Sequence, residues 1–103
     1  MAIMEISIIP VGTKTASVSK YVVAAIEMLK KEKGIRYTLT AMGTIVEAEP
    51  IERLLEIAGK MHSIAFDDKV KRVVSTIKID ERRDKKLTSK GKIDSVEEKL
   101  KRK

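Results

Sequence analysis

The apolar residues of this chain switch between a period of two and a period near 3.6 in a set order. That order constrains the fold more than any other feature, because the two periods belong to strands and helices respectively. Ile3–Ile9 alternates, with Met4, Ile6 and Ile8 on one side and Ile3, Glu5, Ser7 and Ile9 on the other. Pro10 lacks an N–H and is expected to end this strand. The loop PVGTKTAS follows, with Ser17 or Ser19 as N-cap of a helix reaching about Lys33. Val18, Val22, Ala25, Ile26 and Leu29 form its buried stripe. Lys30, Lys31 and Lys33 suit its C-terminal dipole, and Gly34 supplies a left-handed C′ residue.

Arg36–Met42 alternates again, with Tyr37, Leu39 and Ala41 opposed to Arg36, Thr38, Thr40 and Met42. Gly43 is expected as the turn into a strand Thr44–Glu49, which makes an antiparallel hairpin. Pro50 suits the first turn of a helix whose stripe is Ile51, Leu54, Ala58, Met61 and Ala65. Asp67 and Asp68 form a turn, and Lys69–Ile79 is the fourth strand. Residues 81–92 read as a charged linker. Ser95 and Glu98 have capping-box spacing, so a short helix is expected from Ser95 to about Lys101, with Ile93, Val96 and Leu100 as its apolar contacts. Pro10 and Pro50 stand 40 residues apart at matching strand ends, a sign of two βαβ halves. The order β-α-β-β-α-β specifies an α+β, ferredoxin-like sandwich: a four-stranded antiparallel sheet of order 4-1-3-2 with two helices on one face. Residues 1–84 form the domain and 85–103 a basic extension.

Composition removes several functions. At 103 residues the chain suits one domain, and 43% apolar residues can fill its core. There is no Cys and one His, which excludes disulfides, thiolate catalysis and a His-rich metal site. No apolar run approaches the roughly 20 residues of a membrane span, and Met1–Pro10 lacks the basic cluster of a signal peptide, so a cytoplasmic protein is expected. Asn and Gln are missing and Lys and Glu are abundant, which suits a heat-adapted source. The net charge of +7 divides into +5 over residues 81–103 and +2 over residues 1–80. The body is therefore nearly neutral, and the basic tail reads as a solvated end rather than a nucleic-acid face.

The sheet face without helices carries Ile3, Glu5, Ser7 and Ile9; Thr38, Thr40 and Met42; Ile45, Glu47 and Glu49; and Val74, Thr76 and Lys78. Its apolar members and the long fourth strand at the sheet edge point to a homo-oligomer. The face has no aromatic for base stacking, since Tyr37 points to the helices, and specific RNA binding is not expected. His62 has no nucleophile placed around it, Asp67–Asp68 has no further ligands at metal spacing, and the Asn needed by a ferredoxin-like acylphosphatase is missing.

PVGTKTASVSKYV after the first strand, MGTIVE (Met42–Glu47) in the hairpin and IDERRD (Ile79–Asp84) after the last strand resemble the thiamine-binding protein family over residues 3–84. The resemblance implies a domain that assembles as dimers or tetramers and binds thiamine or its hydroxymethylpyrimidine part without chemistry or cofactor. Thiamine pairs a cationic thiazolium with an aminopyrimidine, so a site for it needs a carboxylate, hydroxyls and an apolar wall. Glu47 is the candidate carboxylate. Thr40 and Thr44 are candidate partners for ring nitrogens, Met42 and Val46 are candidates to pack on the ring, Gly43 is counted among the ligand-binding residues with them, and Tyr21 is a candidate stacking surface. Gly12, Thr13, Thr15 and Ser17 present amides and hydroxyls beside a helix N-terminus, which favours an anion. The competing reading is a structural or regulatory homo-oligomer whose pocket holds an anion or nothing.

Overall fold

A computed structural model describes residues 1–14, 16 and 18–102. The elements are β1 (Ala2–Val11), α1 (Ser19–Lys30), β2 (Arg36–Thr40), β3 (Gly43–Ala48), α2 (Ile51–Ile64), β4 (Arg72–Asp80) and α3 (Ser89–Lys101). The sheet order β2-β3-β1-β4, antiparallel throughout, is the expected ferredoxin-like α+β arrangement. Alternation along the central strands fills one face: Ala2, Met4 and Ile6 of β1 and Val46 and Ala48 of β3 meet Ala25 and Leu29 of α1 and Leu54, Ile57, Ala58 and Met61 of α2. Tyr37, Ile26 and Ile79 close the margins of this core.

Pro10 does not end β1. The strand continues to Val11, pairing Pro10 with Val73 and Val11 with Arg72 on β4. Pairing with β3 stops at Ile6 opposite Thr44, so β1 has one neighbour at Pro10, and there the missing donor is tolerated as on an edge strand. The β1–β4 ribbon thus runs past the β2–β3 hairpin, and this overhang creates the space described below. Gly43 is the first residue of β3, paired with Thr40, and the turn is made by Ala41 and Met42. Residue 18, a valine, precedes the first turn of α1 without a side-chain cap, and Ser19 is already helical; Ser17 lies outside the described residues. Helix α1 stops at Lys30, before the expected Lys33, and Gly34 adopts the left-handed conformation with φ 76°.

The C-terminal segment departs most from expectation. α3 begins at Ser89 rather than Ser95, because the Thr88 hydroxyl accepts from the Gly91 N–H at 3.0 Å. Ser95 is therefore interior to the helix, and the charged linker is correspondingly shorter. Lys90–Asp94 and Glu98–Arg102 pairs one turn apart support the helix. Ile93, Val96 and Leu100 contact no core; they are 56%, 59% and 59% exposed. Leu87, just before the helix, is buried instead.

Candidate functional site

Where β1 outruns β3, the hairpin and the two helices enclose a cavity of about 340 Å³. Ile6 and Ile8 line it from β1, and Val18, Tyr21, Val22 and Ala25 from the start of α1. Met61 and Ala65 contribute from the end of α2, and Leu39–Thr44 from the hairpin. Met42 stands at the rim, 83% exposed, which is unusual for a thioether beside an apolar space. None of the lining residues carries a carboxylate or a cationic side chain. Polarity comes from hydroxyls, those of Tyr21, Thr40 and Thr44.

Those hydroxyls are not equivalent. Thr40 Oγ1 donates to the Gly43 carbonyl at 2.7 Å and accepts from the Gly43 and Met42 amides at 3.1 and 3.3 Å. It is committed to shaping the turn. Thr44, on the helix-facing side of β3, is buried beside the cavity. The Tyr21 hydroxyl donates at 3.5 Å to Asp67, whose other carboxylate oxygen accepts the Lys69 and Val70 amides at 2.8 Å each. These two amides hold the Asp67 carboxyl below its usual range. Tyr21 thereby links the cavity mouth to the turn after α2.

The residues singled out in the sequence divide between the two sides of the sheet. Thr40, Met42, Gly43 and Thr44 meet at the cavity, together with Tyr21. Val46 is fully buried in the core rather than forming a wall. Glu47 lies on the opposite side of β3, is only 5% exposed, and accepts the Ser89 amide at 2.5 Å at the start of α3. Its carboxylate stabilises that helix terminus and does not face the cavity. Gly12, with φ 85°, and Thr13 lie past the end of β1 and do not line the cavity; Thr15 and Ser17 are outside the described residues. Sequence periodicity did not single out Val22, Ala25, Met61 or Ala65 as cavity residues, since their spacing is that of ordinary core stripes. The one local signal was Tyr21, an aromatic in the first turn of an aliphatic helix.

Other groups of possible chemistry are accounted for by packing. His62 Nδ1 lies 2.7 Å from the Ser75 hydroxyl and its ring meets Phe66 edge-on, tying α2 to β4. Among the described residues no cluster of His, Asp or Glu could hold a metal ion. Nor is any described helix long and apolar enough to cross a membrane.

Residues 4–97 match the model of the thiamine-binding protein family. The chain belongs to the thiamine-binding protein family. The match extends beyond residue 84 through most of α3. The UPF0045 protein YqgV of Bacillus subtilis is 42% identical over 97% of this chain and 98% of its own length. A Methanothermobacter thermautotrophicus UPF0045 protein is 41% identical over 97% of this chain and all of its own. In structure, a Methanocaldococcus jannaschii protein superposes with a TM-score of 0.83 at 44% identity, covering 94% of this chain and 96% of the other. A Thermotoga maritima protein named for thiamine biosynthesis or salvage shares the fold, with a TM-score of 0.75 at 20% identity, covering 92% of this chain and 97% of the other.

Proposed function

We propose that this chain is a non-enzymatic, oligomeric binding protein for thiamine or its hydroxymethylpyrimidine part, received in the cavity between α1 and the β2–β3 hairpin. The observation that carries the reading is the cavity itself, in a chain of the thiamine-binding family. Its volume of about 340 Å³ falls within the range of small-ligand pockets. Its walls are aliphatic, with Met42 and Tyr21 at hand for ring contact. The hydroxyl of Thr44 offers a donor and an acceptor to a nitrogen ring. A space without carboxylates suits the neutral aminopyrimidine, and leaves the cationic thiazolium, with any phosphate, at the solvent side. Glu47, engaged by α3 across the sheet, takes no part in this reading.

Self-association through the uncovered sheet face and β4, as a dimer or tetramer, belongs to the same proposal, as does a cytoplasmic location in a heat-adapted cell. Ile9, Val74 and Ile77 are 54%, 45% and 43% exposed, which is where such an interface gains from burial. A thermal-shift and calorimetric titration with hydroxymethylpyrimidine, thiamine and thiamine diphosphate tests the ligand. A ligand that binds the native state alone raises the melting temperature by mass action. Thr44→Val, which keeps the shape and removes the hydroxyl, should weaken binding about tenfold. If all three compounds leave the melting temperature unmoved at millimolar concentration, the ligand reading fails, and a structural or regulatory oligomer is what remains.

A further inference from the structure

The mouth of the cavity holds the charges that its walls lack. Tyr21 lines the cavity from the first turn of α1, and Lys20 and Asp67 stand beside it. The Lys20 ammonium lies 3.7 Å from Asp67 Oδ2, the oxygen that the Tyr21 hydroxyl reaches at 3.5 Å, and 5.6 Å from the centre of the Tyr21 ring. Two attractions for a cation therefore converge there: a carboxylate, and an aromatic ring within the roughly 6 Å over which its quadrupole acts. Lys20 is itself loosely held. Its side chain is 81% exposed, and an ion pair so open to water contributes little. The macrodipole also disfavours a positive charge in the first turn of a helix.

Asp67 is fixed where Lys20 is loose. Its Oδ1 accepts the Lys69 and Val70 amides at 2.8 Å each, which sets the plane of the carboxylate and leaves Oδ2 to Tyr21 and Lys20. The Lys69 amide, followed by that of Val70, also lowers its pKa and so keeps the group ionised. Ala65, two residues earlier, lines the cavity, so the turn that carries Asp67 continues directly from the wall. α1 has no acid in its own first turn, and Asp67 supplies negative charge to that end from a distant part of the chain. A carboxylate already immobilised through one oxygen needs little further ordering to meet a cation. In thiamine a single methylene joins the cationic thiazolium to the aminopyrimidine. A pyrimidine among the aliphatic walls therefore brings its cation out at this mouth and not into bulk water.

We propose that Tyr21 and Asp67 form a cation subsite at the cavity mouth, and that Lys20 is its resident occupant, displaced by the thiazolium of an incoming ligand. The inference rests on the cavity as the ligand site and assigns its selectivity. Tyr21 and Asp67 favour a cationic ligand over a neutral one, while Lys20 competes with it and limits that preference. The exchange leaves no charge uncompensated, because one cation replaces another at Asp67 and Lys20 returns to the water that already surrounds most of it. A neutral pyrimidine makes no such exchange.

Calorimetric titration of the full chain and two variants with thiamine and with hydroxymethylpyrimidine tests this. Asp67→Asn keeps an oxygen for the Lys69 and Val70 amides and removes the charge. Lys20→Met keeps an unbranched stem and removes the ammonium. Asp67→Asn should weaken thiamine binding about fivefold and Lys20→Met should strengthen it about threefold, the scale of exposed cation–π and ion-pair contacts. Hydroxymethylpyrimidine should shift less than thiamine in both variants. The opposite signs are the signature, since general damage to the cavity weakens both compounds in both variants. If Asp67→Asn does not fold, Lys20→Met, at an exposed side chain, decides by itself. A wild type that binds neither compound overturns the ligand reading and the subsite together. Three results overturn the subsite alone: a wild type that binds hydroxymethylpyrimidine but not thiamine, a folded variant that leaves thiamine affinity unchanged or moves it the other way, or a shift for hydroxymethylpyrimidine as large as that for thiamine.

Discussion

Gly43 illustrates how one residue can be picked out for one reason and required for another. Its place in MGTIVE and its neighbours suggest a turn glycine, yet its φ is not positive; among the described glycines only Gly12 and Gly34 adopt that region. What Gly43 supplies is proximity. A Cβ built there would stand 3.0 Å from the Ile6 carbonyl oxygen, a backbone atom of β1 that cannot swing aside. Gly43→Ala should therefore force β3 from β1 beside the cavity and cost about 1–3 kcal/mol, read from urea unfolding midpoints. A stability equal to wild type would show that the strands have slack there. The same contrast governs the candidate site. Thr40, Met42 and Thr44 were legible because a hairpin is local. The placement of Val46 and Glu47 was not, because alternation tells which residues share a side but not what covers each side.

At the scale of elements, α1 and α2 are joined at one end by a carboxylate. Glu32 accepts from Lys60 and Arg53 of α2, both at 2.8 Å, and Arg53 also donates to the Lys33 carbonyl at 3.2 Å. Lys60, followed by Arg53, lowers the Glu32 pKa from its ordinary value of 4.5. A carboxyl whose folded-state pKa is depressed stabilises the fold above its unfolded value and loses that contribution as pH falls through the folded value. The melting temperature of wild type should thus exceed that of Glu32→Gln at neutral pH. The gap should close as pH is lowered from about 4.5, and a gap constant down to pH 3 would refute the link. The helix stripes of α1 and α2 were readable from spacing alone. The start of α3 was not, since Thr88 and Ser95 are both good caps. The choice fell to Thr88, whose position lets Leu87 bury itself and the Ser89 amide meet Glu47.

For the whole molecule, one cluster joins both halves of the chain: Met4, Ile6 and Val46 from the sheet meet Leu29 from α1 and Leu54, Ile57 and Met61 from α2. Leu54, at 0% exposure, is surrounded by both layers. Leu54→Ala should cost about 2–5 kcal/mol and lower the midpoint of a single cooperative transition. Loss of α2 in a separate early step would show two units instead of one. The element order, the pairing of strands and most of the core stripes were determined by the sequence alone, because period, turn residues and short connections are local properties that leave few ways to pack. The tertiary structure alone decided three things: the overhang of β1 past β3 that opens the cavity, the burial of Glu47 under α3, and the exposure of the α3 stripe. Each depends on where one strand stops relative to another or on which distant segment arrives above a face, and no periodicity within a segment encodes that.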